Sequence, residues 1–143
     1  MPASGVVQVP ETLDVYRAAL AEPLACSLRA TRRAMQRHFG PNVLVFGAGG
    51  IGLLCAKVAR LLGAHRVMVA DTQEERLQIA LHTAADEAVN PARADLPSVI
   101  AERFGDKGVD VVIDAAGFQP TRSAAMAVVN PGGTVMNIGL GID

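Results

Sequence analysis

The sequence predicts an α/β fold, in which a doubly wound parallel sheet of about five strands carries helices on both faces and follows a long N-terminal helix. From Val43 onward, short apolar runs alternate with longer segments of helical period, as in stacked βα units. Half of the 143 residues are hydrophobic and 19% are charged, which favours a folded core over disorder. Because aromatic residues make up only 3% of the chain, Ala, Val, Leu and Ile must build that core.

The first half of the chain contains a lead-in, two strands and three helices. Leu20–Phe39 is a long candidate helix, amphipathic and rich in Ala and Arg, and a short extended piece over Val6–Pro10 precedes it. Gly63 is placed to end the next helix as its C′ residue, and Asp71 or Thr72 can cap the helix after the second strand. The other predicted elements are a strand over Val43–Phe46, a helix over Ile51–Leu62, a strand over Arg66–Ala70 and a helix over Glu74–Thr83.

The second half continues the alternation. A weak third strand is expected around Glu87–Asn90, and the residues at 130–133 supply the turn before the last strand. Right-handed crossovers would place the strands in the order third, second, first, fourth and fifth. The predicted elements of this half are a helix over Leu96–Phe104, a strand over Val109–Asp114, a helix over Thr121–Val129 and a strand over Thr134–Ile138.

Composition excludes several classes of partner. The net charge of -1 and a pI near 6.3 leave no basic field for nucleic acid or an anionic membrane surface. The longest uncharged apolar stretch, Val43–Ala56, is interrupted by four glycines and is too short to span a bilayer. The N-terminal sequence has neither the basic nor the apolar region of an export signal. Cys26 and Cys55 lack metal-site or redox-motif spacing and are expected to be buried thiols, so we expect a cytoplasmic protein.

The segment between the first strand and its helix, Gly47–Gly52, fits the pattern G-x-G-x-x-G. Gly47 permits the tight turn, Gly49 lets the backbone approach a pyrophosphate, and Gly52 lets the helix pack closely against the strand. Gly50 belongs to the same loop, and the helix N-terminus supplies free N–H groups to phosphates. These features predict a Rossmann fold that binds a dinucleotide.

Asp71 lies about 20 residues further on, at the end of the second strand, where a carboxylate accepts hydrogen bonds from the adenosine ribose and repels a 2′-phosphate. NAD is therefore favoured over NADP, although Arg76 would soften the preference if it reached the ribose. Two alternatives are weaker: a glycine-rich turn without a ligand, and a methyltransferase sheet. Methyltransferases usually carry more acidic sequence before the glycines, where this chain has Val45 and Phe46.

Several stretches of the chain resemble the cofactor domain of zinc-type medium-chain dehydrogenases, the group that includes sorbitol, threonine and butanediol dehydrogenases. The resemblance covers nearly the whole chain, and the order and spacing of the stretches are specific. They are AEPLA at 21–25 with RRA at 32–34, VLVFGAGGIG at 43–52, Asp71 with Arg76 and Leu77, VDVVIDAAG at 109–117, and PGGTV at 131–135 with IGL at 138–140.

The resemblance implies which residues hold NAD. It places Ile51, Asp71 and Arg76 at the adenosine and pyrophosphate side of the cofactor. Open α/β sheets bind ligands at the carboxyl ends of their strands, which independently favours the ends of the fourth and fifth strands. An ordinary core strand running into a turn is an equally good interpretation of the side chains at 138–140. At the nicotinamide side the resemblance places Ala116, Gly117, Ile138, Gly139 and Leu140.

The resemblance also links Glu22 to metal chemistry, because in polyol-type members the Glu of this segment lies at the catalytic zinc. For this chain alone, an acid favoured by the helix dipole is the better interpretation. A zinc site needs three or four ligands, and those from the family's N-terminal domain have no counterpart here. Zinc at Glu22 is therefore expected only in a full-length parent, and His38, His65 and His82 are interpreted as surface or packing residues.

We expect residues 1–40 to form a lead-in from the family's domain junction and residues 41–143 the NAD-binding domain, with the catalytic domain absent. In the full-length parent the implied activity is NAD-dependent oxidation of a secondary alcohol or polyol to a ketone. For the isolated chain, which we expect to be inactive, the alternative is a stand-alone nucleotide-binding or interaction module.

The last predicted strand, Thr134–Ile138, would lie at the edge of the sheet. It is largely apolar and contains neither Lys nor Pro, and the sequence stops at Asp143, before the family's sixth strand. Unprotected edges invite pairing with another strand. The sequence therefore predicts a homo-oligomer that forms through this C-terminal edge strand.

Overall fold

The structure, a computed structural model, describes residues 3–141 and contains one five-stranded parallel sheet. The strands are β1 Asn42–Phe46, β2 Arg66–Ala70, β3 Glu87–Val89, β4 Val109–Asp114 and β5 Val129–Asn137. The helices are α1 Val15–Ala18, α2 Ala21–Met35, α3 Gly50–Leu61, α4 Glu74–Thr83, α5 Leu96–Phe104 and α6 Gln119–Val128. The strand order β3-β2-β1-β4-β5 confirms the predicted Rossmann topology.

The core lies on both sides of β1, the central strand, whose five residues are all buried. Alternate side chains of a strand point to opposite faces of the sheet. Val43 and Val45 pack in one cluster with residues of α2, α3 and α4, whereas Leu44 and Phe46 pack in the other with residues of α5 and α6. Because helices cover both faces, the strand sequence is apolar at every position from 43 to 46.

The long N-terminal helix is present but shorter than the predicted Leu20–Phe39, since α2 ends at Met35. The chain has to turn after α2 to enter β1, and it does so through Gly40, whose φ is +56°. His38 lies in this turn, where its Nε2 is 3.0 Å from Thr134 Oγ1 of β5. The connection therefore needs the residues that the sequence pattern had assigned to the last turn of the helix.

Small side chains fix α2 against α3. They let two helix backbones approach closely and leave little freedom for sliding. With 15 residues α2 is the longest helix of the described range, and no helix in that range has the length and apolar character needed to cross a bilayer. The buried residues at this contact are Ser27, Thr31 and Ala34 of α2 and Cys55, Ala56 and Ala59 of α3.

β5 and α6 both begin earlier than predicted. β5 starts at Val129, which pairs with Val109, and its register against β4 shifts before Thr134 pairs with Val111. The predicted turn at 130–133 is thus an irregularity inside the strand, which an edge strand tolerates because only one side is paired. α6 starts at Gln119 because Pro120 occupies its first turn, where a missing N–H costs nothing.

We predict that Leu44→Ala lowers the free energy of unfolding by about 2–5 kcal/mol, because it leaves a cavity at a completely buried position. Leu61→Ala is the matched control, since Leu61 is 85% exposed and its truncation should change the free energy by less than about 0.5 kcal/mol. Urea unfolding followed by circular dichroism measures both. Equal effects of the two substitutions would contradict the described core.

Candidate functional site

Close contacts between backbone atoms shape the turn between β1 and α3. Gly47 has a φ of +94°, which favours glycine, and its N–H donates to the Ala70 carbonyl at 2.8 Å. A Cβ on Gly52 would overlap the Gly47 carbonyl oxygen, so α3 begins directly against the end of β1. A Cβ on Gly47 would lie 3.1 Å from the backbone nitrogen of Ala116. The turn therefore also abuts the end of β4.

The next two glycines of the turn face open space. Gly49 is the N-cap residue of α3 and, as a glycine, has no side chain that could cap the helix. A Cβ placed on Gly49 or Gly50 would meet no heavy atom within 4 Å. The first N–H groups of a helix have no partner within the helix, and they lie at the positive end of its dipole. The geometry at Gly49 therefore admits an anionic group to the start of α3.

Asp71 joins the glycine-rich turn to the end of β2. One carboxylate oxygen accepts a hydrogen bond from Ala48 N–H at 2.7 Å, and the other accepts from Gln73 N–H at 2.9 Å. The predicted cap was wrong, because neither Asp71 nor Thr72 caps α4 and the N-cap residue is Gln73. The carboxylate is instead directed across the sheet edge, toward the turn after β1.

A cleft of about 480 Å³, which we call the main cleft, opens at this carboxyl edge of the sheet. Its size is within the usual range of small-molecule sites. Five residues that the sequence predicted as cofactor-binding line it, namely Gly47, Gly49, Asp71, Arg76 and Ala116. Eight further residues that the sequence reasoning missed complete the lining, namely Phe46, Ala70, Thr72, Gln73, Pro91, Ala115, Phe118 and Thr121.

A second cleft, of about 300 Å³, adjoins the first, because Ala115 lines both. It brings together α2, the first turn of α3 and the end of β5, which are far apart in sequence. Its lining contains Glu22, Cys26, Ile51, Ala115, Ile138, Gly139 and Leu140. Gly50 and Ile51 line a third, mostly apolar depression between α2, α3 and α4, whereas Gly52 and Gly117 line none of the three.

The turns after β4 and β5 touch through glycine. Gly117 has a φ of +79°, and a Cβ there would lie 2.7 Å from the carbonyl carbon of Gly139. Asp114, the last residue of β4, lies beneath this contact and is fully buried. Asp114 was not among the predicted site residues, although it ends an apolar strand and an acid in the corresponding place after β2 predicted Asp71.

Cys26 and Glu22 are one turn apart on α2, and both line the second cleft. The Cys26 thiol lies 3.3 Å from Glu22 Oε1, and the hydrogen bond and charge of that carboxylate raise the pKa of the thiol. Cys26 is exposed, so its predicted burial was wrong, whereas Cys55 is buried as predicted and burial raises the pKa of its thiol. Within residues 3–141, no three His, Cys, Asp or Glu side chains are grouped closely enough to hold a metal ion.

Comparison with known proteins identifies the family. A family model described as zinc-binding dehydrogenase matches residues 50–143. The chain belongs to the zinc-binding dehydrogenase family. Its sequence is 37% identical over 145 residues to a probable D-xylulose reductase A of Aspergillus clavatus, an alignment that includes 99% of this chain and 40% of the fungal protein. The chain thus spans about 40% of the curated relatives it matches and corresponds to the cofactor-binding domain of the family.

Solved structures of similar proteins have the same fold. A zinc-binding dehydrogenase from Sinorhizobium meliloti 1021, bound to NADP, superposes with a TM-score of 0.85 at 34% identity over 94% of this chain and 40% of that protein. An Escherichia coli CFT073 protein described as a short chain alcohol dehydrogenase, complexed with NADH, gives a TM-score of 0.87 at 28% identity over 100% of this chain and 42% of that one. The resemblance to zinc-type dehydrogenases predicted from the sequence is confirmed.

We predict that Gly52→Ala destabilises the dehydrogenase domain by about 3 kcal/mol, because the added methyl group forces α3 away from the end of β1. Gly50→Ala is the control at a helical position two residues earlier, where the added methyl meets nothing and the higher helix propensity of Ala should leave stability unchanged or slightly raised. Thermal unfolding of both variants measures the difference. A Gly52→Ala variant as stable as Gly50→Ala would contradict the described contact.

Proposed function

We propose that this chain binds NAD(H) across the carboxyl edge of its sheet, with the pyrophosphate at the N-terminus of α3. The observation that carries the proposal is Gly49, which lines the main cleft and has open space where a side chain would project. The N-terminus of a 12-residue helix offers free N–H groups and a positive dipole end to phosphate oxygens. When bound, the nicotinamide ring accepts or donates a hydride.

We assign the adenosine and pyrophosphate side to the glycine-rich turn and the end of β2. Asp71 and Arg76 line the same cleft as Gly49, which supports this assignment. Gly52 contributes indirectly, because its lack of a side chain brings α3 close to β1. The residues proposed for this side are Gly47, Gly49, Gly50, Ile51, Gly52, Asp71 and Arg76.

We assign the nicotinamide side to the ends of β4 and β5. Ala116 lines the main cleft, and the second cleft continues it past Ala115 to the end of β5. The contact of Gly117 with Gly139 holds these two turns together. An extended dinucleotide could therefore cross from β2 to β5 over the start of α3. The residues proposed for this side are Ala116, Gly117, Ile138, Gly139 and Leu140.

We further propose that the domain prefers NAD to NADP. Related structures hold either NADP or NADH, so the preference has to come from this chain's own residues. Asp71 is held at the cleft wall by two backbone N–H groups, where its charge would repel a 2′-phosphate. Arg76 lines the same cleft, is exposed, and forms no ion pair within residues 3–141. It is the residue able to reduce the preference.

Calorimetric titration should therefore show NADH binding at least about tenfold more tightly than NADPH, a difference of about 1.4 kcal/mol. Asp71→Ala should lower the ratio of NADH affinity to NADPH affinity, because it removes the charge that repels the 2′-phosphate. Glu75→Ala is the control, since Glu75 is an exposed acid near the cleft that does not line it. Equal affinity of the unsubstituted chain for NADH and NADPH would contradict the proposed preference.

Gly49→Val should abolish NADH binding while the domain stays folded. The branched side chain would occupy the space proposed for the pyrophosphate, and the φ of -76° at Gly49 suits any residue. Thermal unfolding shows whether the variant is folded, and titration with NADH measures the loss. Unchanged NADH affinity in a folded Gly49→Val variant would rule out the proposed pyrophosphate position.

For the whole protein we propose reversible oxidation of a secondary alcohol or polyol to a ketone, with Glu22 contributing to a zinc site. The position of Glu22 in the second cleft, beside the proposed nicotinamide residues, supports this role. The competing function is a nucleotide-binding module without catalysis. A zinc-supplemented NAD-reduction assay of the whole protein with sorbitol, threonine and butanediol separates them, because a binding module gives no turnover. Both free cysteines are compatible with the cytoplasmic location that we propose.

We also propose that two copies of the chain associate through β5. In the described range β5 pairs only with β4, so one side of this nine-residue strand presents backbone groups that lack a strand partner. The opposite edge, β3, has only three residues. A second β5 related by a two-fold axis would extend the sheet with the same surface from each copy.

Light scattering over a concentration series should then show a monomer giving way to a dimer. Asn137→Lys should weaken the dimer, because a charge at an exposed position of the edge strand disfavours pairing. Glu102→Lys is the control, since it makes a surface charge change on α5, away from this edge. A chain that stays monomeric at the highest concentrations would contradict association through β5.

A further inference from the structure

The carboxylate of Asp114 is buried and its two oxygens have unequal surroundings. Oδ1 accepts hydrogen bonds from Ala116 N–H at 3.0 Å and Gly117 N–H at 2.9 Å. The Thr121 hydroxyl lies 3.1 Å from the same oxygen and 2.8 Å from the Phe118 carbonyl, so its single proton is shared. Oδ2 is also buried, yet it has no hydrogen-bond partner within residues 3–141.

Such a group is expensive to keep in a core. Burying a charged or unpaired polar atom costs free energy unless partners compensate, and an apolar residue would avoid that cost at the end of an apolar strand. Asp114 is also the only fully buried acid in the described part of the chain. The presence of an acid at this buried position therefore points to a requirement at the end of β4 rather than to stability alone.

The backbone carbonyl of Asp114 binds the turn after β5, which belongs to the same proposed nicotinamide side. Its carbonyl oxygen accepts hydrogen bonds from Ile138 N–H and Gly139 N–H, each at 2.9 Å. The side chain of Asp114 thus fixes the turn after β4, while its carbonyl fixes the turn after β5. One residue connects both segments that we assign to the nicotinamide side.

Side-chain packing cannot fix the spacing between those two turns. Gly117 and Gly139 face each other, and a Cβ on Gly139 would lie 2.5 Å from the Gly117 nitrogen. Without side chains there, hydrogen bonds have to hold the backbones at their separation. The three donors that converge on Asp114 Oδ1 and the two that converge on its carbonyl oxygen supply this restraint.

We infer that Asp114 is a positioning residue, which sets the shape of the nicotinamide end of the cleft by holding the turns after β4 and β5 together. The inference rests on the proposed NAD(H) binding and adds a residue that does not itself line either cleft. It mirrors Asp71, whose carboxylate holds Ala48 and Gln73 at the adenosine end. Each end of the cleft thus has an acid, after β2 or at the end of β4, that orients backbone N–H groups.

The test compares two ligands that share the adenosine end, NADH and ADP-ribose, because ADP-ribose lacks the nicotinamide ring. Asp114→Ala in the 143-residue chain should weaken NADH binding about tenfold, as expected when a buried hydrogen-bond acceptor is lost, and change ADP-ribose binding by less than about twofold. Fluorescence of the bound reduced nicotinamide should change in parallel, since its surroundings are altered. Calorimetric titration measures both affinities.

Asp110→Ala is the matched control. Asp110 is an acid at the opposite end of the same strand, where its carboxylate accepts hydrogen bonds from Asn42 N–H at 2.9 Å and from Asn130 Nδ2 at 3.1 Å. Its loss should lower thermal stability but leave the ratio of NADH to ADP-ribose affinity within about twofold of its original value. A general loss of stability is thereby separated from a change at one end of the cleft.

If Asp114→Ala fails to fold, Asp114→Asn decides the question. The amide keeps the size and one acceptor oxygen, but a neutral oxygen accepts more weakly than a carboxylate. NADH should then bind about threefold more weakly with ADP-ribose unchanged, and the Ala116 and Gly117 amides should exchange with solvent faster. An equal change for both ligands, or no change for either, would overturn the role of Asp114. Absence of NADH binding by the unsubstituted chain would instead reject the proposed function.

Discussion

The cleft depends on one steric constraint, the absence of Cβ atoms where the turns at the carboxyl edge of the sheet meet. Gly52 allows α3 to start against the Gly47 carbonyl, and Gly117 and Gly139 allow the turns after β4 and β5 to touch. At these contacts a methyl group would overlap backbone, which cannot move without shifting a strand or a helix. Gly49 differs, because its missing side chain leaves open space rather than a contact. The same residue type thus builds the walls of the cleft and keeps its centre free.

Backbone walls of this kind need another source of rigidity, and buried or half-buried carboxylates supply it. Asp71 and Asp114 each accept backbone N–H groups from a turn that borders the cleft. Packing alone requires neither residue, because the strand residues directly before them, at 67–70 in β2 and 111–113 in β4, are apolar and buried. The close contact between α2 and α3 adds a further restraint, since it ties Glu22 and Cys26 to the helix whose N-terminus we assign to the pyrophosphate.

The sequence predicted the strand order and most element boundaries, because a doubly wound sheet leaves a strong apolar pattern and its crossovers have one hand. Predictions from the sequence were wrong where contacts between distant parts of the chain determine the local structure. The chain turns through Gly40 before β1, so α2 ends earlier than predicted. Pro131 lies inside β5, which is possible because β5 is an edge strand. Asp71, one of the two residues expected to cap α4, instead accepts a hydrogen bond from Ala48 N–H. Asp114 was overlooked because its partners are backbone N–H groups, which leave no pattern of residue types in a sequence.

We propose that NAD(H) crosses the carboxyl edge of the sheet from β2 to β5. Backbone amide NMR during a titration with NADH tests it most directly, because every N–H along the proposed path reports separately. We expect shifts at Ala48 and Gly49, at Gln73, at Ala116 and Gly117, and at Ile138 and Gly139, with none at Gly108 or Asn130 near the amino ends of β4 and β5. Shifts confined to residues outside these turns, or no shift at saturating NADH, would contradict it.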